Sequence, residues 1–451
     1  MTELLLTAPS SGSGKTSAMC ALLTLFQRKG MRPCAFKCGP DYIDPMFHRS
    51  VLDVDSCNLD LFLTDEETVR KNYEYYSAYC DAAIIEGVMG HYDGLGGSTP
   101  TAGSWHLADT LDERSLLVVR PGKNSLTLAA ELKGILDFRE NSHIAGILLN
   151  DCVPAHVTRL ADILERETGI PVVGCLPHVE GAELSSRHLG LVTADEVQDL
   201  QHRVSLLTDA LEENLDWDKL LSLCGNRPAK VRTEMDTHVA KTVIAFACDK
   251  AFSFYYRDAL DALWKAGADL YLVSPLHDHA LPVAADGLYL PGGYPELYAR
   301  ELSENESMRE SVQRAVQGGM PTVAECGGFL YLGQSLEGAD GKVYPMAGAL
   351  PGKGYRTNHP VRFGYATLTA EGDSLLLKKG DTLPVHSFHY WDSTEPGNAL
   401  SAEKPVTGRS WKTGFASPSL YAAFEHFDFS GKPELVRRFL RAAEEYHARE
   451  Q

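Results

Sequence analysis

No stretch of this chain approaches the ~18 consecutive apolar residues needed to cross a membrane as a helix. Its first residues, MTELLLTAPSSGSGKT, carry no basic region ahead of the opening apolar run. A spanning segment and a signal peptide are therefore not expected, and the cytoplasm is the expected location. Basic residues are also in short supply, with 42 Lys and Arg against 61 Asp and Glu and a formal net charge of -19. Coating nucleic acid takes clustered cations, so nucleic acid is not an expected partner. An anionic substrate would need its cations gathered locally. The ten cysteines are scattered singly, and the closest pair, Cys34 and Cys38, has no matching second pair. That spacing argues against a zinc site and for reduced, buried thiols. Internal repeats are missing too.

What is present is 451 residues, 44% hydrophobic and 23% charged, enough for two or three globular domains. Short apolar runs alternate with helical stretches. Strands are expected at 3–7, 33–37, 81–86, 115–120, 145–150 and 171–176, and helices at 15–28, 125–136 and 154–167. Such alternation implies right-handed crossovers and a doubly wound, mostly parallel sheet. After a polar helical stretch, residues 226–241 have no clear period and read as a linker. A second α/β series follows, with strands at 242–247, 269–274, 287–291 and 321–325, then β-like segments after Gly341 and a closing helix at 433–446. The expected division is a domain over 1–225, the linker, and a domain over 242–451.

The first chemical signal is Ala8-Pro9-Ser10-Ser11-Gly12-Ser13-Gly14-Lys15-Thr16, set between a strand and a helix. Backbone N–H groups of Gly12, Ser13 and Gly14 and the helix N-terminus can cradle phosphates. Lys15 would neutralise the terminal phosphates and the Thr16 hydroxyl would coordinate Mg²⁺. Pro9 stands where the usual motif has its first glycine, but Ser10-Ser11-Gly12 can still turn tightly. Two acidic segments fall near strand C-termini, where such loops sit: Asp41 and Asp44 in FKCGPDYIDP, and Glu86 in IIEG with Asp93 beyond it in GHYDGLGG. Mg²⁺ takes only one or two protein carboxylates, the rest of its shell being phosphate and water. Acidic turn residues alone are common. Joined to Lys15 and Thr16 they point to ATP.

The second signal is Val323-Ala324-Glu325-Cys326-Gly327-Gly328-Phe329, which reads as strand, sharp turn and helix with Cys326 at the turn. Small neighbours permit the strained backbone of a nucleophile, and a helix N-terminus suits a thiolate. Upstream, the strand at LYLPGGYPE ends in Gly292-Gly293, whose N–H with that of Gly327 can form an oxyanion hole. The base must come from elsewhere, and His426 in Phe424-Glu425-His426-Phe427-Asp428 follows a β-like run. If that run stays extended, Asp428 at i+2 shares its face and can orient the imidazole.

Together these residues resemble the cobyrinic acid a,c-diamide synthase family. The resemblance runs over nearly the whole chain through SSGSGKT, FKCGPDYIDPMFH, NLDLFL, EGVMGHYDG, SSRHLGLV, AFSFYY, SPLHDHALP, LYLPGGYPELYA, AECGGFLYL and the GYR at 354–356. It implies an N-terminal ATP-dependent amidoligase domain of dethiobiotin synthetase type and a C-terminal class I glutaminase. Cys326, with His426 as base, would release ammonia from L-glutamine. ATP would phosphorylate a tetrapyrrole carboxylate, and channelled ammonia would displace the phosphate. The positions of Asp41, Asp44, Glu86 and Asp93 imply service to Mg²⁺, ATP and the intermediate, with Tyr42 in the same loop. Lys37, Arg187, His188 and Arg356 are the basic contacts expected for the anionic macrocycle, and a homodimer is a possible assembly. Asp428 stands in the place of the class I triad acid. The family's Gly-His-Glu-Phe-His-Tyr-Ser segment appears as Val385-His386-Ser387-Phe388-His389-Tyr390-Trp391, which leaves nickel-sirohydrochlorin and hydrogenobyrinic acid beside cobyrinic acid as substrates. Rival readings each leave something unused: a P-loop regulatory ATPase or a dethiobiotin synthetase gives Cys326 no role, and a degenerate binding module would not keep Cys326 and His426.

Overall fold

The computed structural model describes residues 1–184, 194–228 and 238–450. The chain divides into two compact units, Met1–Leu61 with Asp65–Thr233, and Phe62–Thr64 with Glu234–Gln451.

In the first unit the strands are β1 (Thr2–Thr7), β2 (Pro33–Cys38), β3 (Ser56–Leu59), β4 (Ala82–Glu86), β5 (Ser115–Val119), β6 (Ile144–Asn150) and β7 (Val172–Leu176). They lie in the order β3-β2-β4-β1-β5-β6-β7 and all run parallel. Their sequences are apolar at almost every position because helices cover both faces of the sheet. Leu4 and Leu6 of β1 pack into one core with Ala18, Leu22 and Phe26 of the helix Lys15–Arg28, while Leu5 faces the other, with Phe36, Tyr73 and Leu107. The chain leaves β1 for one side of the sheet and later returns to its other side at β5. Such a reversal opens a crevice at the strand C-termini, where ligands of these sheets bind.

The six strands expected in this half are present with bounds shifted by a residue at most. β3 was not expected, since SCNL is four residues long and half polar. The segment expected to begin a linker starts instead within the sheet: Gly225–Asn226 forms β8, antiparallel to β1. Arg227 then bridges Glu3 at 3.2 Å and Glu113 at 3.3 Å.

In the second unit β9 (Thr242–Ala247), β10 (Ala268–Val273), β11 (Gly287–Leu290) and β12 (Thr322–Glu325) build a second parallel sheet. A further sheet comprises β13 (Ser335–Glu337), β14 (Val343–Pro345), the long hairpin β15 (Lys353–Ala370) and β16 (Thr382–Ser393), β17 (Leu400–Glu403) and β18 (Ser410–Thr413). The chain then returns to the parallel sheet with β19 (Phe415–Ser417) and β20 (Leu420–Ala423), giving the order β10-β9-β11-β12-β20-β19. The helix Pro433–Glu450 closes the chain. Among the described residues no helix is long and apolar enough to cross a membrane.

Candidate active sites

The turn after β1 carries the first site. Gly12 and Gly14 both have positive φ, 79° and 96°. Gly14 is also needed for space, since a Cβ there would lie 2.0 Å from Nδ2 of Asn150. That amide, at the end of β6, donates to the Ser13 carbonyl at 2.9 Å and fixes the loop from beneath. Asn150 was not singled out from sequence, although its place at a strand C-terminus was the available signal. Lys15 Nζ donates to the Met89 carbonyl at 2.5 Å, and burial with Lys37 nearby brings its pKa down to about 8. The loop beyond β4 therefore packs on the phosphate loop, and His91 N donates to the Ala8 carbonyl at 2.8 Å.

Behind the loop lies a buried ionic cluster. Thr16 Oγ1 donates to Glu86 Oε1 at 2.7 Å, and Lys37 Nζ approaches the same oxygen at 3.2 Å while also donating to Asp44. Adjacent parallel strands set this up, because Lys37 on β2 is in register with Glu86 on β4. Glu86 is 0% exposed. Burial, with Asp44 beside it, pushes its pKa up to about 7 against the pull of Lys37 and Thr16. Burial would discharge Lys37, but Asp44, Glu86 and Asp41 raise its pKa well above that of an ordinary lysine. Among the described residues Glu86 Oε2 is buried with no hydrogen-bond partner, and His48 Nε2 stands 3.9 Å from it.

The remaining residues of the first site divide. Asp41 lies 4.0 Å from Lys37 and caps the Ile43 N–H at 2.8 Å, and Tyr42 is buried next to it. Asp93 turns into its own loop, accepting from Gly90 N at 3.1 Å. Arg187 and His188 lie outside the described residues. Arg356 belongs to the second unit, where its guanidinium lies over the Trp391 ring at 5.7 Å.

The second site sits at the C-terminal end of β12. Cys326, buried, holds a strained backbone (φ 46°, ψ -98°) between β12 and the helix Gly327–Leu332. Two glycines have to be there. A Cβ on Gly327 would stand 3.0 Å from the Gly293 nitrogen, so Gly327 packs against the backbone of the glycine pair. A Cβ on Gly292 would stand 2.4 Å from Cε1 of His426. His426 is 2% exposed, and Cys326 acts on it electrostatically. Burial would lower its pKa, yet Cys326 and Glu325 outweigh that and raise it to about 10.

The acid at the imidazole is not the expected one. β20 ends at Ala423, so extended alternation is not enforced beyond it, and His426 forms a single bridge with His386. Glu325 Oε2, the neighbour of the nucleophile, meets His426 Nδ1 at 3.0 Å. Asp428 turns instead to Ser430 N, at 2.8 Å, and to the buried Asp258. Burial raises both acids: Asp428 well above the usual range with Asp258 adding to the rise, and Asp258 to about 6 against the hydrogen bonds from Ser430 and Asp428. Asp428 is thus a carboxyl pairing with a second carboxyl, where the i+2 rule had made it the orienting acid.

Comparison with known proteins matches two stretches of the chain to families. Residues 4–192 match the CobQ/CobB/MinD/ParA nucleotide binding domain family, and residues 243–433 match the CobB/CobQ-like glutamine amidotransferase domain family. Over 98% of its length the chain is 37% identical to a cobyrinate a,c-diamide synthase from Synechococcus sp., 98% of which is covered. Proteins of the same name from Caldanaerobacter subterraneus and Salmonella typhimurium are each 36% identical, over 95% and 97% of this chain and 96% and 97% of theirs.

Proposed function

From its place in the cobyrinate a,c-diamide synthase family, to which this chain belongs, we propose that it amidates the a and c acetate carboxylates of cobyrinic acid with ATP and glutamine. The observation that carries this is one chain with both sites intact: Lys15, Thr16 and Glu86 at a phosphate loop, and Cys326 with His426 at a nucleophile elbow.

In the second unit His426 takes the thiol proton, the Cys326 sulfur adds to the glutamine carboxamide carbon, and the carbonyl electron pair moves onto oxygen beside the Gly293 and Gly327 amides. Collapse breaks the C–N bond, and His426 gives its proton to the departing ammonia. Water, deprotonated by the same imidazole, hydrolyses the thioester to glutamate. In the first unit the γ-phosphoryl of ATP passes to a carboxylate oxygen, leaving ADP. Channelled ammonia then displaces phosphate from the acyl phosphate, and the cycle runs twice per product. Lys15 and the loop amides neutralise the phosphates, since phosphoryl transfer relies chiefly on positioning and charge.

The residues fit a Mg²⁺ ion carried with the nucleotide. Glu86 has a buried oxygen without a partner, and Thr16 stands beside its other oxygen. Thr16, Glu86 and Asp41 would hold the ion, which would neutralise the phosphate charge. Asp44 and Asp93 are assigned to the acyl-phosphate side, with Lys37 and Tyr42.

The test supplies cobyrinic acid, hydrogenobyrinic acid or nickel-sirohydrochlorin with ATP, Mg²⁺ and glutamine and counts amides by mass spectrometry. Two amides on cobyrinic acid, with at least tenfold less on the other two, is the expected outcome. Selective turnover of either other macrocycle would move the substrate assignment.

A further inference from the structure

The proposed glutaminase reaction needs something to hold the His426 ring so that one nitrogen faces the sulfur. Resting on that reading, we infer that Glu325, the residue immediately before the nucleophile, is the positioning acid of this site, itself locked by the hydroxyl of Tyr289. The chain of contacts is continuous. Tyr289 Oη donates to Glu325 Oε1 at 2.9 Å, and Glu325 Oε2 faces His426 Nδ1 at 3.0 Å. His426 in turn packs against Gly292 and is acted on by the Cys326 thiol. All four are buried: Tyr289 2%, Glu325 1%, His426 2% and Cys326 6% exposed.

The parallel sheet explains why an acid next to the nucleophile can reach the base. Tyr289 on β11 is in register with Val323 on β12, and Ala423, at the end of β20, with Glu325. The chain carrying His426 therefore emerges beside the end of β12. There, opposite-face alternation sends the Glu325 side chain away from that of Ala324. Cys326 N donates to the Ala423 carbonyl at 2.8 Å and sets the depth of the elbow against that chain. His426 is pinned in main chain as well, exchanging N–H···O bonds with His386 at 2.8 and 2.9 Å. With its Nδ1–H given to Glu325, the ring has its other nitrogen left to take the thiol proton and return it.

The alternative acids are committed elsewhere. Asp428 pairs with Asp258 and Ser430. Glu425, fully buried, accepts from Trp411 Nε1 at 3.0 Å and Thr413 Oγ1 at 3.1 Å. The other titratable groups acting on this pair are neutral rings: His386 and His389, both held well below the ordinary histidine range by burial, and Tyr421. Among the described residues the carboxylate at the imidazole is that of Glu325, a pairing that is strong when buried and charge-assisted.

The experiment compares Glu325→Gln, Glu325→Asp, Tyr289→Phe and Asp428→Asn in the full chain. It follows glutamine hydrolysis, ammonia-dependent amidation and the pH dependence of Cys326 alkylation by iodoacetamide. Glu325→Gln is expected to lower kcat for glutamine on the order of 10²–10⁴-fold, the loss seen when a triad acid becomes an amide. Its KM should be little changed, its alkylation profile displaced, and its ammonia-dependent amidation kept. Glu325→Asp should recover part of kcat, Tyr289→Phe should lose less than Glu325→Gln, and Asp428→Asn should leave the alkylation profile in place. Hydrolysis within twofold of wild type in Glu325→Gln overturns the inference, as does equal loss of ammonia-dependent amidation, which would mark a structural role. If Cys326→Ser also retains glutamine hydrolysis, the glutaminase reading itself fails, and the two failures are thereby told apart.

Discussion

Glu86 shows how a single buried charge ties stability to function. Its pKa is about 7 in the fold against 4.5 for the free side chain, chiefly through burial. A raised carboxyl means that the folded state binds the extra proton between those two values. Unfolding free energy therefore falls as pH rises from about 4.5 to about 7 and stays lowered above that. Glu86→Gln is expected to raise the Tm of the nucleotide-free protein at pH 8 by about 3 °C, with a smaller gain at pH 5, while abolishing ATP-dependent amidation. Calorimetry at the two pH values checks this; equal Tm changes at both would remove the electrostatic cause. Lys15 has the opposite sign. Its pKa, lowered to about 8 by burial and by Lys37, predicts that ATP affinity weakens above that pH as the ammonium loses its proton. Titration calorimetry across pH 7 to 9 reads it.

At the scale of elements, the phosphate loop depends on strand ends as much as on its own sequence. Removing the Asn150 amide leaves the Ser13 carbonyl without its donor, at a cost of about 1 kcal/mol. Asn150→Ala is expected to weaken nucleotide binding roughly fivefold to tenfold, measured by titration calorimetry. Gly14→Ala should cost more, because a left-handed non-glycine backbone costs roughly 1–2 kcal/mol before the clash with Asn150 is added. Most elements were legible in the sequence because a doubly covered strand must be apolar throughout and its bounding turns polar. The long strands of the first unit and its helices Lys15–Arg28, Leu126–Asp137 and Pro154–Thr168 followed that rule to within a residue. β3 did not, because a four-residue polar strand owes its existence to its neighbour β2 and not to its own pattern. The same holds for β8, two residues recruited by β1 and by the Arg227 bridges to Glu3 and Glu113.

For the whole molecule, two compact units, the first built on one sheet and the second on two, mean that the two chemistries can be disabled separately. Cys326→Ser is expected to lose glutamine-dependent amidation by at least 10³-fold while amidation with high ammonia persists. Lys15→Ala should lose amidation with either nitrogen source. Assaying both variants with both donors checks the division; loss of the ammonia reaction in Cys326→Ser would contradict it. The residue types and spacing of SSGSGKT and AECGG, each between strand and helix, by themselves determined that there would be a phosphate loop and a nucleophile elbow. Local backbone geometry is written in local sequence, and glycine or small residues at fixed offsets are its mark. Which distant carboxylate meets which partner was decided only in three dimensions. Lys37 finds Glu86 across a strand register. His426 turns from Asp428, two residues away, to Glu325, 101 residues distant in sequence. Pairing across a parallel sheet is set by long crossovers whose register no short motif records, so a triad acid placed by i+2 alternation lost to one placed by the neighbouring strand.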